Sequence, residues 1–215
     1  MWTNLRVLAL ICFILPISTV IISYIASVQF NLVESCIPFF EGCTSISRVG
    51  RNFPVKIFFK PMMYLYAIFL FLYWYRFLEK LKNFEVKEKK YYLLAFFSVV
   101  FLILYITFLG EGKIYNFFRR VGIYIYIFLI VISQFLISKK LYLIREKINK
   151  NFIIKFIKIN YFLTLLLVLS GLILLPLLLI KIDGFPQIKN IISWNYFTLI
   201  QLYFLFSFFS LKKAK

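Results

Sequence analysis

The residues able to do chemistry gather in one stretch, Phe39 to Lys60, which reads FFEGCTSISRVGRNFPVKIFFK. It holds a carboxylate (Glu41), a thiol (Cys43), three hydroxyls (Thr44, Ser45, Ser47) and the cations Arg48, Arg51, Lys56 and Lys60. A second, smaller group lies in GEGKIYNFFRR, with Glu111, Arg119 and Arg120. Arginine presents a planar fork of donors that holds a phosphate through two hydrogen bonds, and hydroxyls add further donors. Arg48, Arg51, Arg119 and Arg120, with Thr44, Ser45 and Ser47, would therefore make a cradle for a lipid phosphate. The competing reading is that these arginines extend to the membrane interface or pair with Glu41 and Glu111. Glu41 and Glu111 would serve as general acid and base only if the two segments met in space, and nothing in their spacing requires that. Cys36 and Cys43, with six residues between them, form a small-loop disulfide in an oxidising compartment and remain thiols in a reducing one. Cys12 reads as a packing residue.

Other chemistry finds few residues to work with. The chain has no histidine, hence neither the commonest acid–base group nor the commonest transition-metal ligand. No phosphate-binding glycine loop, dinucleotide fingerprint or zinc-protease pattern occurs, so neither metal nor cofactor is expected.

The elements that must position these residues are membrane helices. Of 215 residues 63% are hydrophobic and mean hydropathy is +0.89, more apolar surface than a water-soluble domain of this size can hide. The formal charge of +18 falls in connectors between apolar runs, which suits anionic lipid headgroups and topology control rather than nucleic acid. The 28 Phe and abundant Lys, Ile and Asn are read as genomic bias and carry little functional weight. Six stretches reach the ~20 apolar residues needed to cross a bilayer: about 5–27, 61–78, 91–109, 121–138, 161–182 and 191–209. The first is read as an uncleaved helix rather than a signal peptide, because its apolar core is too long. Pro61 suits the first turn of the second span, and Trp74 and Tyr75 suit an interfacial belt. The linker from Lys139 to Asn160 spaces its apolar residues at helical intervals and reads as a surface helix running into the fifth span.

The fold class is thus all-α, a single polytopic bundle of six transmembrane helices. Of the 26 cations, 17 fall on the side of the termini and nine on the side of the Phe39–Lys60 loop. The excess of cations on cytoplasmic loops then puts both termini in the cytoplasm and the loop outside. Gln134, Asn195, Gln201, Thr164, Ser170 and the tyrosines are uncharged and suit hydrogen bonds between helices rather than a conduction path.

The segment CTSISRVGRNFPVKIFFKPMM, between one membrane helix and the next, resembles the FRAG/DRAM/SFK-type six-helix membrane protein family. Ile46, Ser47, Gly50, Pro54 and Phe58 or Phe59 stand where that family's first outer loop carries its signature. Where the family opens its last helix with Glu-Trp, this chain has Ser193 and Trp194, so the tryptophan matches and the acid does not. EGKIYNFFRRVGIYIYIFLIVISQ is similar to the third loop and fourth helix of uncharacterised bacterial members. Eukaryotic relatives are associated with GPI-anchor lipid remodelling, plasma-membrane lipid organisation and autophagy, so the resemblance implies lipid handling. It implies no catalytic residues.

The expectation is therefore an integral protein of a bacterial inner (plasma) membrane that binds or organises phospholipid through its outer loops. A lipid-remodelling enzyme using Glu41, Ser47 or Glu111 and an accessory subunit of a membrane complex are the alternatives. A homo-oligomer or a membrane-complex partner is compatible with all three.

Overall fold

The computed structural model describes residues 2–82, 89–145, 151–179 and 185–211. Seven helices and no strand occur among the described residues: α1 Trp2–Gln29, α2 Ile46–Val49, α3 Val55–Leu81, α4 Lys89–Thr107, α5 Lys113–Leu143, α6 Asn151–Leu179 and α7 Phe185–Ser210. All but the single-turn α2 are long and apolar enough to cross a membrane. In hydrocarbon a helix satisfies its backbone internally, so six apolar helices on short connectors are the form this composition allows.

The six long helices close into a ring in chain order. Each packs on its neighbours in sequence, and α7 returns to pack on α1. The start of α1 and the end of α7 meet at one face, where Arg6 of α1 stacks over Phe208 of α7, 4.8 Å from the ring centroid. A ring of six helices leaves a centre to fill, and large aromatic residues fill it. Tyr66, Tyr73, Trp74, Tyr203 and Phe204 are all essentially inaccessible. Their rings meet edge-on or stacked; Tyr73 and Phe204 lie 5.1 Å apart and Trp74 and Tyr203 6.0 Å apart. Tyr66 bonds to Tyr126 across the ring and donates to Gln201, at 3.2 and 3.3 Å. Gln134 of α5 donates to the Ile200 carbonyl of α7 at 3.2 Å. Where α4 and α5 approach most closely, Gly122 lies against the backbone of Tyr105, a fit that a side chain would prevent.

Several sequence expectations change. Trp74 belongs to the core and not to an interfacial belt; only its neighbour Tyr75, one residue around the helix, is exposed. Pro61 stands seven residues into α3 rather than in its first turn, because the helix already begins at Val55 behind Pro54. α5 begins at Lys113, so Arg119 and Arg120 lie within the helix and not ahead of it. No separate surface helix occupies Lys139–Asn160 among the described residues. Lys139 to Leu143 continue α5 and Asn151 to Asn160 open α6, while 146–150 lie outside the described residues. The uncharged polar residues divide: Gln134 and Gln201 bridge helices, whereas Thr164 and Ser170 bond back to carbonyls of their own helix.

Candidate functional site

The face opposite the termini is covered by the segment between α1 and α3. Cys36 and Cys43 are joined by a disulfide, their Cα atoms 6.5 Å apart. The bridge closes a turn that the Glu41 carboxylate also holds, accepting from the Ile37 amide at 3.0 Å. Tyr24, near the end of α1, donates to the Cys36 carbonyl at 2.7 Å and accepts from its amide at 3.0 Å. Ser27 donates to the Val49 carbonyl at 2.9 Å. Ser45 caps α2 by accepting from the Arg48 amide at 3.2 Å, and Ser47 lies 3.4 Å from the Ser45 hydroxyl.

The first three turns of α7 grip this loop from the other side. Asn190 donates to the Gly42 carbonyl at 2.8 Å, Trp194 to the Thr44 carbonyl at 2.9 Å, and Asn195 to the Phe39 carbonyl at 3.0 Å. Positions 190, 194 and 195 lie within two turns of α7, which is why one helix end can catch three carbonyls of the same loop. The Trp194 ring is 2% exposed, wedged edge-on between Tyr24 (5.8 Å) and Phe39 (5.3 Å). Gly42 adopts φ +65°, and its backbone lies against that of Gln187 so closely that a Cβ would collide with the carbonyl. The loop is therefore a plug seated on the ring and not a free excursion.

This seating divides the predicted cradle. Glu41 and Ser45 are consumed in holding the loop, Ser47 beside them, and Thr44 is buried with its hydroxyl oxygen unpartnered among the described residues. Arg48 is exposed at the end of α2. Glu111 is exposed in the turn before α5. Neither it nor Glu41 pairs with any of the four arginines in the described residues.

Two further arginines act on Arg119 electrostatically. Arg51, after α2, and Arg120 lie within electrostatic reach of Arg119. Arg119 is 9% exposed and donates to the Gly110 carbonyl at 3.3 Å and to the Asn116 side-chain oxygen at 2.8 Å. Both acceptors are neutral. Arg51 Nε is buried without a hydrogen-bond partner among the described residues. Nearby, Lys60 donates to the Thr107 carbonyl at 3.0 Å, tying α3 to the end of α4. Like charges gathered in a half-buried rim are costly until an anion or a phosphate oxygen comes between them. The arrangement can therefore hold an oxyanion.

Lys189, absent from the residues singled out by sequence, also faces this end. Its ammonium lies 5.6 Å from the centre of the Tyr124 ring. Asn190, Trp194 and Asn195 were likewise not marked as a group, although the run NIISWN concentrates amides and an indole on one face of a helix beside the loop. The Tyr24 contact carries no sequence signal, since one tyrosine among 15 is not distinguishable. No family model, curated protein or solved structure matches the chain.

Proposed function

We propose that this multi-pass membrane protein binds an anionic phospholipid at the outer bilayer face, with its phosphate held by Arg51, Arg119 and Arg120. The observation that carries the reading is the buried, unpartnered Nε of Arg51 within electrostatic reach of Arg119, a buried guanidinium bonded only to neutral acceptors, with no carboxylate partner for either among the described residues. The family resemblance points the same way. The residues it rests on also gather at this face: Ser47 in α2, Gly50 against the Phe59 ring, and Trp194 bonded to the loop.

Arg51→Gln and Arg119→Gln are each expected to reduce co-purified anionic phospholipid roughly tenfold, the worth of one charge-assisted hydrogen bond. The measure is phosphorus and lipid class per protein in mild detergent, with Arg145→Gln at the opposite face as control. Unchanged lipid content in both rim variants would count against the reading. A lipid-remodelling enzyme would instead leave a missing product in the lipid composition of a deletion strain, which a binder need not do.

Orientation is tested separately. In a background with the native cysteines replaced, Arg48→Cys is expected to react with an impermeant thiol reagent in intact cells, and Lys139→Cys only after permeabilisation. The reverse pattern would move the site to the cytoplasmic leaflet.

A further inference from the structure

A cleft of about 210 Å³ opens between α5, α6 and α7, near the loop-bearing end of the ring. Phe128 and Val131 of α5, Val168 and Gly171 of α6, and Ile192 and Tyr196 of α7 line it. The cleft exists because α6 packs on both α5 and α7 while those two helices stand apart along this stretch. One turn beyond Val131 and Tyr196, the Gln134 bond to the Ile200 carbonyl ties α5 to α7. From Tyr124 to Ile132 the wall runs ~12 Å along α5.

Its chemistry is divided by depth. The polar groups inside are already satisfied: Tyr196 donates to the Leu167 carbonyl at 2.7 Å and Ser193 to the Asn190 carbonyl at 2.8 Å. Beyond Tyr124 and Lys189 the lining thus offers carbon, which suits a hydrocarbon chain and disfavours a polar solute. The mouth is cationic. Lys189 sits there over Tyr124, and Arg120 stands one helical turn above Tyr124 on the same face of α5. An apolar slot crowned by two cations is complementary to one amphiphile class, a straight chain below an anionic head.

We infer that this cleft receives one acyl chain of an anionic glycerophospholipid, whose headgroup is held at the mouth by Lys189 and Arg120. The inference rests on the lipid-binding reading above and adds where the tail goes and which lysine selects the head. Arg120 links the two places, since it also lies within electrostatic reach of Arg119.

The test uses the full chain in phosphatidylcholine vesicles doped with phosphatidylglycerol or phosphatidylcholine carrying the same diazirine-bearing acyl chain. Photolabelling followed by peptide mapping should favour the phosphatidylglycerol probe and concentrate on the cleft segments of α5, α6 and α7. Ile192→Trp, which fills the slot, should abolish that concentration while leaving labelling of the lipid-facing side of α4 unchanged. Lys189→Gln, which removes the cation at the cleft mouth and its contact with Tyr124, should lower the preference for phosphatidylglycerol roughly fivefold, the worth of one interfacial cation. Labelling spread evenly over all helices, or equal for the two probes, means annular lipid only and overturns the inference. If Arg51→Gln removes the phosphatidylglycerol preference while Lys189→Gln and Ile192→Trp leave labelling unchanged, the rim reading stands and the cleft inference falls. If none of the three variants alters the preference, both fall.

Discussion

Trp194→Ala is expected to destabilise the protein by about 3–5 kcal/mol, the range for emptying a large buried aromatic site. Three losses add at this position. The ring contacts with Tyr24 and Phe39 go, the indole leaves a cavity between α1 and the loop, and the Thr44 carbonyl loses its donor. A buried carbonyl stranded in this way costs about 1–3 kcal/mol by itself. Trp194→Phe separates the terms, since it retains a ring for packing and removes only the hydrogen bond. Thermal unfolding in detergent should rank wild type above Trp194→Phe and Trp194→Phe above Trp194→Ala. On the proposed function, in which Arg51 of the loop holds a lipid phosphate, both variants should also co-purify with less phospholipid, in the same order. A Trp194→Ala protein that unfolds with wild type and keeps its lipid would show that the loop is seated by other means.

Gly42→Val should have an effect of comparable size for a different reason. A β-branched residue at φ +65° costs about 1–2 kcal/mol in backbone conformation alone. Its Cβ would also collide with the Gln187 backbone, which is not a flexible side chain that can turn aside. The loop must then lift off α7, breaking the bonds from Asn190, Trp194 and Asn195 together. The expected result is rapid cleavage between Phe39 and Arg51 by added protease in a protein whose six-helix ring remains folded, because most of the ring core, Tyr66, Tyr73 and Trp74 included, is contributed by the long helices themselves. Gly42→Ala should show a weaker form of the same defect. Protease resistance in Gly42→Val equal to that of wild type would refute the tight approach to Gln187.

The expected effects are large because the loop is held at many points by the ring beneath it. Its fastenings come from three places in the chain: Tyr24 and Ser27 on α1, the Cys36–Cys43 bridge within the loop, and Asn190 to Asn195 on α7. The arrangement also explains what becomes of the polar residues between Phe39 and Lys60. A loop lying on a membrane protein has few waters to satisfy its carbonyls, so its own Glu41 and Ser45 and the amides of α7 do so. Glu41 and Ser45, two of the residues that read as a headgroup site, are thereby spent on structure, while Arg51, Arg119 and Arg120 are not paired with a carboxylate among the described residues.

Much of the fold was legible along the chain, since hydrophobic length alone decides whether a segment can cross a bilayer. The six spans were recovered with their cores intact. Their ends were not, because α5 continues through charged and aromatic residues such as Lys113 and Arg119 that hydropathy counts as loop. The placement of Trp74 was also illegible, because a tryptophan near a span end suits an interface as well as a ring centre, and only neighbouring helices decide between them.

The sequence by itself determined the solvent, the number of helices and the one loop where polar chemistry concentrates, because these depend on composition and on runs of apolar residues read locally. It did not determine which cations meet. Arg51 and Arg119 are 68 positions apart in the chain, and only the packing of the helices brings Arg51 within electrostatic reach of Arg119 and Lys189 over Tyr124. Proximity between residues distant in sequence is a property of how the helices pack, and helix packing is set by the shapes of side chains on several elements at once.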